Sequence, residues 1–564
     1  MYSSIPRSMR LGLALLLSLS SGLASCAAEE PESELDLATA KLSGISNLDA
    51  PSTIVVGLNK GTVGSTESKT IAQLFDVVVA LNKTRGTQPP VELVVTIPER
   101  FEGSDFEEPG PVGEPLAIWK RDFVPALTRS YGADAVASAL KTHATSRSNY
   151  WLQDYYEVLT ATTGSRTGLA RIDLLQPENT GSTLGKLFDG KGVKGLSSPF
   201  SRGAQTSSSA HGGNIESMPN GRLYIGAINP YSTIDVAVFG LDGEYSSAEL
   251  DRVASVTASW GKQYDANPSF RVTKQLIDSA LQGLPESLPE MIKEAVDAAH
   301  VELAQAEQLQ SYLAKRTGVA PVRVDTSWLA LGHVDEALSY VPANNACGYA
   351  LLWGDPLEGM ALEMTAGGAL ADGMQPKFLS SFIQRAYLDS PGGAALSAAI
   401  RANRAPTLAD LEAALDFLEG NAFAKPILEG LTQDPDRGAR NRVLLHLQGG
   451  RAQRKTVKAL AAAQGCAAPA VALPTAYNVG QSDTQLRGLF DSVGRLNLVV
   501  LRDHVLVRHE QSESLRQSAD FKESARRLLQ LVPRAKIHEI DVPSNYQGGA
   551  IHCATQVLRQ PARR

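Results

Sequence analysis

Leu331-Gly332-His333-Val334-Asp335-Glu336 sets a histidine and a carboxylate two residues apart, directly after a glycine. In an extended chain His333 and Asp335 would project to one side while Val334 packs behind them. A histidine and a carboxylate so placed can share a site, as proton carrier and cation holder. Gly332 permits close backbone approach or a bulge. The plainer alternative is a turn, or a buried histidine paired with a carboxylate. Two further stretches carry chemistry. Trp151-Leu152-Gln153-Asp154-Tyr155-Tyr156-Glu157 puts a carboxylate beside an indole. That pair suits a planar cation, since a carboxylate accepts two parallel hydrogen bonds and the Trp151 face attracts the charge. Read as an amphipathic strand, the same stretch puts Trp151, Gln153, Tyr155 and Glu157 on one side. Gly548-Gly549-Ala550-Ile551-His552-Cys553-Ala554-Thr555 brings backbone close to a ligand and follows it with a cysteine. Cys553 is either a small buried hydrophobe or a thiol activated by a nearby cation.

The rest of the chain frames these segments. Its 564 residues are 43% hydrophobic, with 53 Lys+Arg against 60 Asp+Glu and a net charge of −7. This is an ordinary globular composition, not collagen, a disulfide scaffold or a mostly disordered chain. The acidic balance and 6% aromatic content argue against nucleic acid as a partner, which calls for clustered cations or stacking platforms.

Residues 1–25 read as a secretory signal: Arg7 and Arg10 precede the apolar run 11–24. The run ends in Leu23-Ala24-Ser25-Cys26, which resembles the lipobox of bacterial lipoproteins. The expectation is cleavage before Cys26, lipid on its sulfur, and a membrane-tethered protein of the cell envelope, with the outer membrane favoured. Loss of Arg7 and Arg10 takes the charge from −7 to −9. Residues 26–50 are expected as a tether and 51–564 as the folded unit. Of Cys347, Cys466 and Cys553, one pair could bridge in an oxidising envelope; Cys347 with Cys466 is one option.

Short apolar runs predict strands at Ile54–Val56, Leu93–Ile97, Leu223–Ile228, Ile234–Phe239, Tyr349–Trp353, Leu498–Val507 and Lys536–Asp541. Arg502-Asp503 could turn a hairpin inside the sixth. Lys536–Asp541 alternates as a one-sided strand should. Helices are expected over Pro289–Lys315 (Met291, Ile292, Ala295 and Ala298 on one side), Leu408–Leu418 behind a Thr407/Asp410 cap, and Phe521–Leu531 closed by Pro533. This is mixed α/β, with helix-rich insertions at about 245–318 and 360–440 and no clean sequence repeat.

Taken together, the three segments resemble the protein-arginine deiminases of the guanidine-modifying superfamily. That family carries Trp-Ile/Met-Gln-Asp, Gly-His-Val-Asp-Glu and His-Cys-Gly-Thr in this order. Here they stand as Trp151–Asp154, Gly332–Glu336 and His552–Thr555, with Val324–Ser327 and Leu338–Pro342 extending the second match. Leu496–Val507 and the ending Val557-Leu558-Arg559-Gln560-Pro561 are also similar. The resemblance implies a pseudo-five-fold α/β propeller of ββαβ modules with the site on its axis. It implies Cys553 as nucleophile, Asp154 and Asp335 as holders of the guanidinium, His333 as proton carrier and Trp151 as the face beneath the substrate. The products would be citrulline and ammonia. It also implies calcium, held by Gln153, Glu157 and Glu216 with carbonyls of Gly212 and Ile215.

Departures matter as well. A neighbouring calcium site of the family is reduced here to Asn179, with Tyr155 and Leu175-Gln176 in place of its other donors. The family's Pro-Arg-Asn-Arg-Gly loop, which grips the substrate backbone, reads Pro177-Glu178-Asn179-Thr180-Gly181. An arginine-containing protein or peptide remains the leading substrate. A small guanidine (free arginine, agmatine or methylarginine) and a catalytically silent binding protein are the alternatives.

Overall fold

The computed structural model describes residues 37, 40–58, 65–86, 88–101, 110–146, 152–174, 180–197, 212–227, 229–231, 234, 245–329, 332–365, 437–475, 477–479, 488–490, 495–510, 516–542 and 551–560. The run 1–26, most of Ile234–Phe239 and the helix expected at Leu408–Leu418 lie outside these residues. So do Trp151 and the side chain of Asp154. Among the described residues no helix is long and apolar enough to cross a membrane.

The apolar runs pair into a recurring unit. Tyr156–Thr163 and Arg166–Asp173 are antiparallel, and Val193–Ser197 returns parallel to the second strand through the helix Thr180–Asp189. The same pattern recurs four more times. Ile215–Ser217 and Leu223–Ala227 pair, and Val322–Asp325 returns after the helices Ser247–Ala266, Lys274–Ala280 and Ser287–Thr317. Leu338–Pro342 and Tyr349–Asp355 pair, and Ala470–Pro474 returns after Pro356–Thr365 and Arg437–Ala463. Val499–Leu501 and His504–Arg508 pair, and Lys536–Ile540 returns after Ala519–Leu531. Finally Thr555–Arg559 pairs with Pro51–Gly57, and Glu92–Pro98 returns after Thr66–Thr84. A parallel return needs a long crossover, which explains the helix in every unit. The last unit closes the chain's two ends onto one sheet, so the segment after Cys553 is held by the first strands. The architecture is mixed α/β with several sheets.

Local chemistry explains the boundaries. Ser65 and Ser518 cap their helices by accepting from Ser68 and Phe521 amides, and Ser246 with Glu249 forms a capping box. Gly318, at φ 74°, ends the long helix in the left-handed region. Arg502 takes φ 65°, the hand that a two-residue hairpin turn demands.

Two expectations need correction. On Ser287–Thr317 the buried stripe is Ile292, Val296, Ala299 and Leu303, while Ala298 is exposed. The larger residues, not the alanines, select the face that packs on Tyr231 and Trp260. Lys536–Ile540 does not alternate cleanly: Ile537 packs on the Val500–Val505 core while His538 stacks on His504, so both faces are partly covered. Of the pairings left open by the sequence, Cys347 with Cys466 is the one formed, with Cα atoms 6.0 Å apart.

Candidate active site

The His333–Asp335 stretch is not extended throughout. His333 is extended, but Val334–Glu336 form one 3-10 turn, opened by Gly332 at φ 76°. The His333 amide donates to the Glu336 carboxylate at 3.0 Å, which satisfies the turn's first orphan donor. All four side chains from His333 to Glu336 are buried. Likewise Trp151–Glu157 is no alternating strand: Leu152–Tyr155 form a 3-10 turn and the strand begins at Tyr156. That turn lies against the cysteine segment, where the Gln153 amide donates to the Cys553 carbonyl at 3.4 Å.

Cys553 is a free thiol, 3% exposed. Its Sγ donates to Asp335 Oδ2 at 3.1 Å. Asn497 ties the two together. Its Nδ2 donates to Asp335 Oδ2 at 2.9 Å and to Cys553 Sγ at 3.0 Å. Its Oδ1 accepts from the amides of His552 and Cys553 at 3.0 and 3.3 Å. His552 adds a bond between its Nδ1 and Asp335 Oδ2, 3.0 Å. One carboxylate oxygen thus gathers three donors, while Asp335 Oδ1 is buried and takes no hydrogen bond among the described residues. That oxygen is free to accept from a donor in the site.

Electrostatics favour a charged Asp335. Burial alone would raise its pKa, but the His552 bond and charge, the charge of His333 and the Cys553 S–H outweigh it and hold it below the usual value. His552 is raised: burial opposes its charge, and Glu216 and Asp335 overcome that.

On the far side of His552 lies a cavity of about 40 Å³ lined by Gln153, Glu157, Glu216, Asn47 and Arg559. An enclosed water needs roughly 10–15 Å³, so an ion with a water or two can enter. Glu157 is pushed well above the ordinary carboxylate value by burial and then by the Glu216 charge. Glu216 is also raised, by burial first, against the lowering charge of His552. Arg559 is buried and brought down to about 10. Two buried acids and a buried amide make an oxygen-rich set that fits a hard cation such as calcium. Among the described residues, no group of three or more His, Cys, Asp or Glu side chains is poised for a metal. Gly212, in the turn Gly212–Asn214, and Ile215, which opens the next strand, flank the cavity without lining it.

The fold therefore brings Asp335 and Cys553 into direct contact, and gathers Gln153, Glu157 and Glu216 around one cavity. It places His333 within electrostatic reach of Asp335. Trp151 and the Asp154 side chain lie outside the described residues. Sequence reasoning missed Asn497 and the bridging part of His552. Asn497 had a signal, as the one polar residue in the apolar run Leu496–Leu501; His552 had none beyond its place before Cys553.

Known proteins share parts of this sequence and fold. A protein-arginine deiminase family model matches residues 294–392. The chain is 46% identical to mouse protein-arginine deiminase type-4 over 50 residues, 9% of this chain and 8% of that one. It is 44% identical to the human type-4 protein over 50 residues, with the same shares. The chain thus matches under a tenth of the length of these curated relatives. Among solved structures, C. jejuni agmatine deiminase covers 93% of this chain and 98% of its own at 10% identity and TM-score 0.42. The Enterococcus faecalis agmatine deiminase covers 93% and 97% at 9% identity and TM-score 0.36. Residues 294–392, which carry His333, Asp335 and Glu336, are thus the part of the chain that is similar to the protein-arginine deiminase family.

Proposed function

We propose that the chain is a hydrolase that deiminates the guanidinium of arginine in a protein or peptide, giving citrulline and ammonia. The observation that carries this reading is the buried contact between Cys553 Sγ and Asp335 Oδ2, with Asn497 fastened to both. The family match on residues 294–392 supports it. Cys553 as thiolate adds to the guanidinium carbon, forming a C–S bond. Asp335 Oδ1 and the Asp154 carboxylate hold guanidinium nitrogens, with Trp151 packed on the plane. His333 gives a proton to the departing nitrogen, and ammonia leaves as the C–N bond breaks. His333 then takes a proton from water, which adds to the same carbon and expels the thiolate. The net change is guanidinium plus water to a ureido group plus ammonium.

Gln153, Glu157 and Glu216, with carbonyls of Gly212 and Ile215, would hold calcium, whose charge offsets the two buried acids. The five sheets are read as blades of a pseudo-five-fold propeller, on the strength of their shared pairing pattern. Residues 1–25 are read as a lipoprotein signal, with Cys26 acylated after cleavage, tethering the enzyme in a bacterial envelope.

A second substrate reading rests on Pro177-Glu178-Asn179-Thr180-Gly181, which lacks the family's two backbone-gripping arginines. It favours free arginine, agmatine or methylarginine. The test uses the full chain in mild detergent, with an arginine peptide and each small guanidine as substrates, with calcium and with chelator, beside Cys553→Ala. Ureido product from the peptide, absent in the variant, is the expected result. Product from small guanidines alone would move the substrate. No product from any of them, with the fold intact, would sink the enzyme reading and leave a binding scaffold.

A further inference from the structure

His552 touches both halves of the site at once. Its Nδ1 lies 3.0 Å from Asp335 Oδ2, and its Nε2 lies 3.4 Å from Glu216 Oε1. All three side chains are buried: Asp335 is 2% exposed, Glu216 5% and His552 9%. The imidazole is rigid, and its two nitrogens sit on opposite edges of the ring. A shift of the Glu216 carboxylate therefore changes how the ring meets Asp335. Asp335 Oδ2 in turn accepts from Cys553 Sγ and from Asn497. Three donors on one oxygen compete, so a weaker hold by His552 must be felt by the thiol.

We infer that His552 is a positioning residue that couples the Glu157–Glu216 cavity to Asp335, and through it to Cys553. The inference rests on the proposed chemistry only for the meaning of Cys553, because the coupling can be read without turnover. With the Glu216 carboxylate in place, the ring is gripped from both sides and stays on Asp335. With that carboxylate replaced by an amide, one grip is lost, the ring is held less firmly on Asp335, and the reactivity of the thiol beside it falls.

The test is a double-mutant cycle on the full chain, reading the iodoacetamide alkylation rate of the Cys553 peptide by mass spectrometry at fixed pH. Two substitutions each keep half of the bridge. His552→Asn retains an amide near the Nδ1 position, and His552→Gln retains one near the Nε2 position. Glu216→Gln is expected to slow alkylation about fivefold or more in the native-histidine background, the lower end of typical coupling between sites. In either His552 variant the same substitution should change the rate by less than about twofold. A purely structural His552 would alter the starting rate and leave the Glu216→Gln effect intact, which would overturn the coupling. So would a Glu216→Gln effect below about twofold in the native background. Circular dichroism checks folding, and Glu157→Gln, which leaves the bridging atoms in place, serves as the cavity arm if Glu216→Gln does not fold. Loss of deimination with an intact cycle would refute the proposed activity alone; a failed cycle with intact deimination would refute this coupling alone.

Discussion

Asn497 is the most exacting probe of the site, because one side chain serves four bonds. It is 1% exposed. Replacement by alanine removes the donor shared by Asp335 and Cys553 and orphans the amides of His552 and Cys553. Each buried group left unsatisfied costs about 1–3 kcal/mol, so the two amides alone cost about 2–6 kcal/mol. Asn497→Asp is the sharper variant. It keeps an acceptor for both amides but replaces the donor with a second carboxylate facing Asp335 Oδ2, where Asn497 Nδ2 sits 2.9 Å away in the native protein. Like charges so close cannot both ionise readily, so one acid must hold a proton. A hydrogen bond to a charged group is worth about 1.5–3 kcal/mol, and 1.4 kcal/mol is tenfold, so its loss predicts roughly a 10- to 150-fold fall in kcat/KM. Thermal inactivation should worsen more in Asn497→Ala than in Asn497→Asp, while activity falls in both. Ureido product and inactivation half-life, measured side by side, read the two effects separately. Activity within about threefold of native in Asn497→Asp would refute the view that this amide organises Asp335 and the thiol.

Other outcomes follow from the same geometry. The Cys347–Cys466 bond closes a separation of 119 residues, and chain entropy alone assigns such a loop roughly 5 kcal/mol; a Cys347→Ala/Cys466→Ala variant should unfold at clearly lower denaturant, and an unchanged midpoint would show that the unfolded chain is held by other means. Glu157 has a folded pKa raised by burial and by Glu216, so its protonated form stabilises the fold at pH below the unfolded carboxylate value, and that stability is lost as pH rises through the folded value. In chelator, Glu157→Gln should therefore gain on the native protein as pH increases from 5 to 8, measured as the difference in thermal midpoint; a constant difference would contradict the raised pKa. A Cβ on Gly226 would overlap Asn214 Oδ1 and lie 2.8 Å from Thr326 Oγ1, and Asn214 Nδ2 already donates to the Gly226 carbonyl; Gly226→Ala should displace the Gly212–Asn214 turn and weaken the proposed calcium binding tenfold or more by calorimetry, and unaltered binding would detach that turn from the cavity.

How much of this is visible in the sequence depends on the range of the interaction. Apolar runs locate strands because alternation and β-branched residues act over a few positions, so Pro51–Gly57, Tyr349–Asp355 and the Arg502 hairpin stand near where the runs place them. Helix caps such as Ser518 are equally local. The face of Ser287–Thr317 is not legible locally because small alanines fit either face, and packing against Tyr231 and Trp260 selects the larger residues. At Val334–Glu336 the sequence leaves an extended chain and a turn both open, and the bond from the His333 amide to Glu336 marks the turn as the one formed.

The sequence by itself determined the chemical vocabulary of the site: a thiol, two histidines, carboxylates and an amide, spread over three distant segments in a recognisable order. It determined the short-range elements that carry them. Only the tertiary structure decided which of these groups meet. Cys553 and Asp335 are 218 residues apart, and Asn497 and Cys553 are 56 apart. Such contacts depend on how five similar sheets pack rather than on any local preference, and the sheets share pairing patterns without sharing sequence. The same packing selected Cys347 and Cys466 as the bonded pair, left Cys553 as a thiol, and set His552 between two carboxylates.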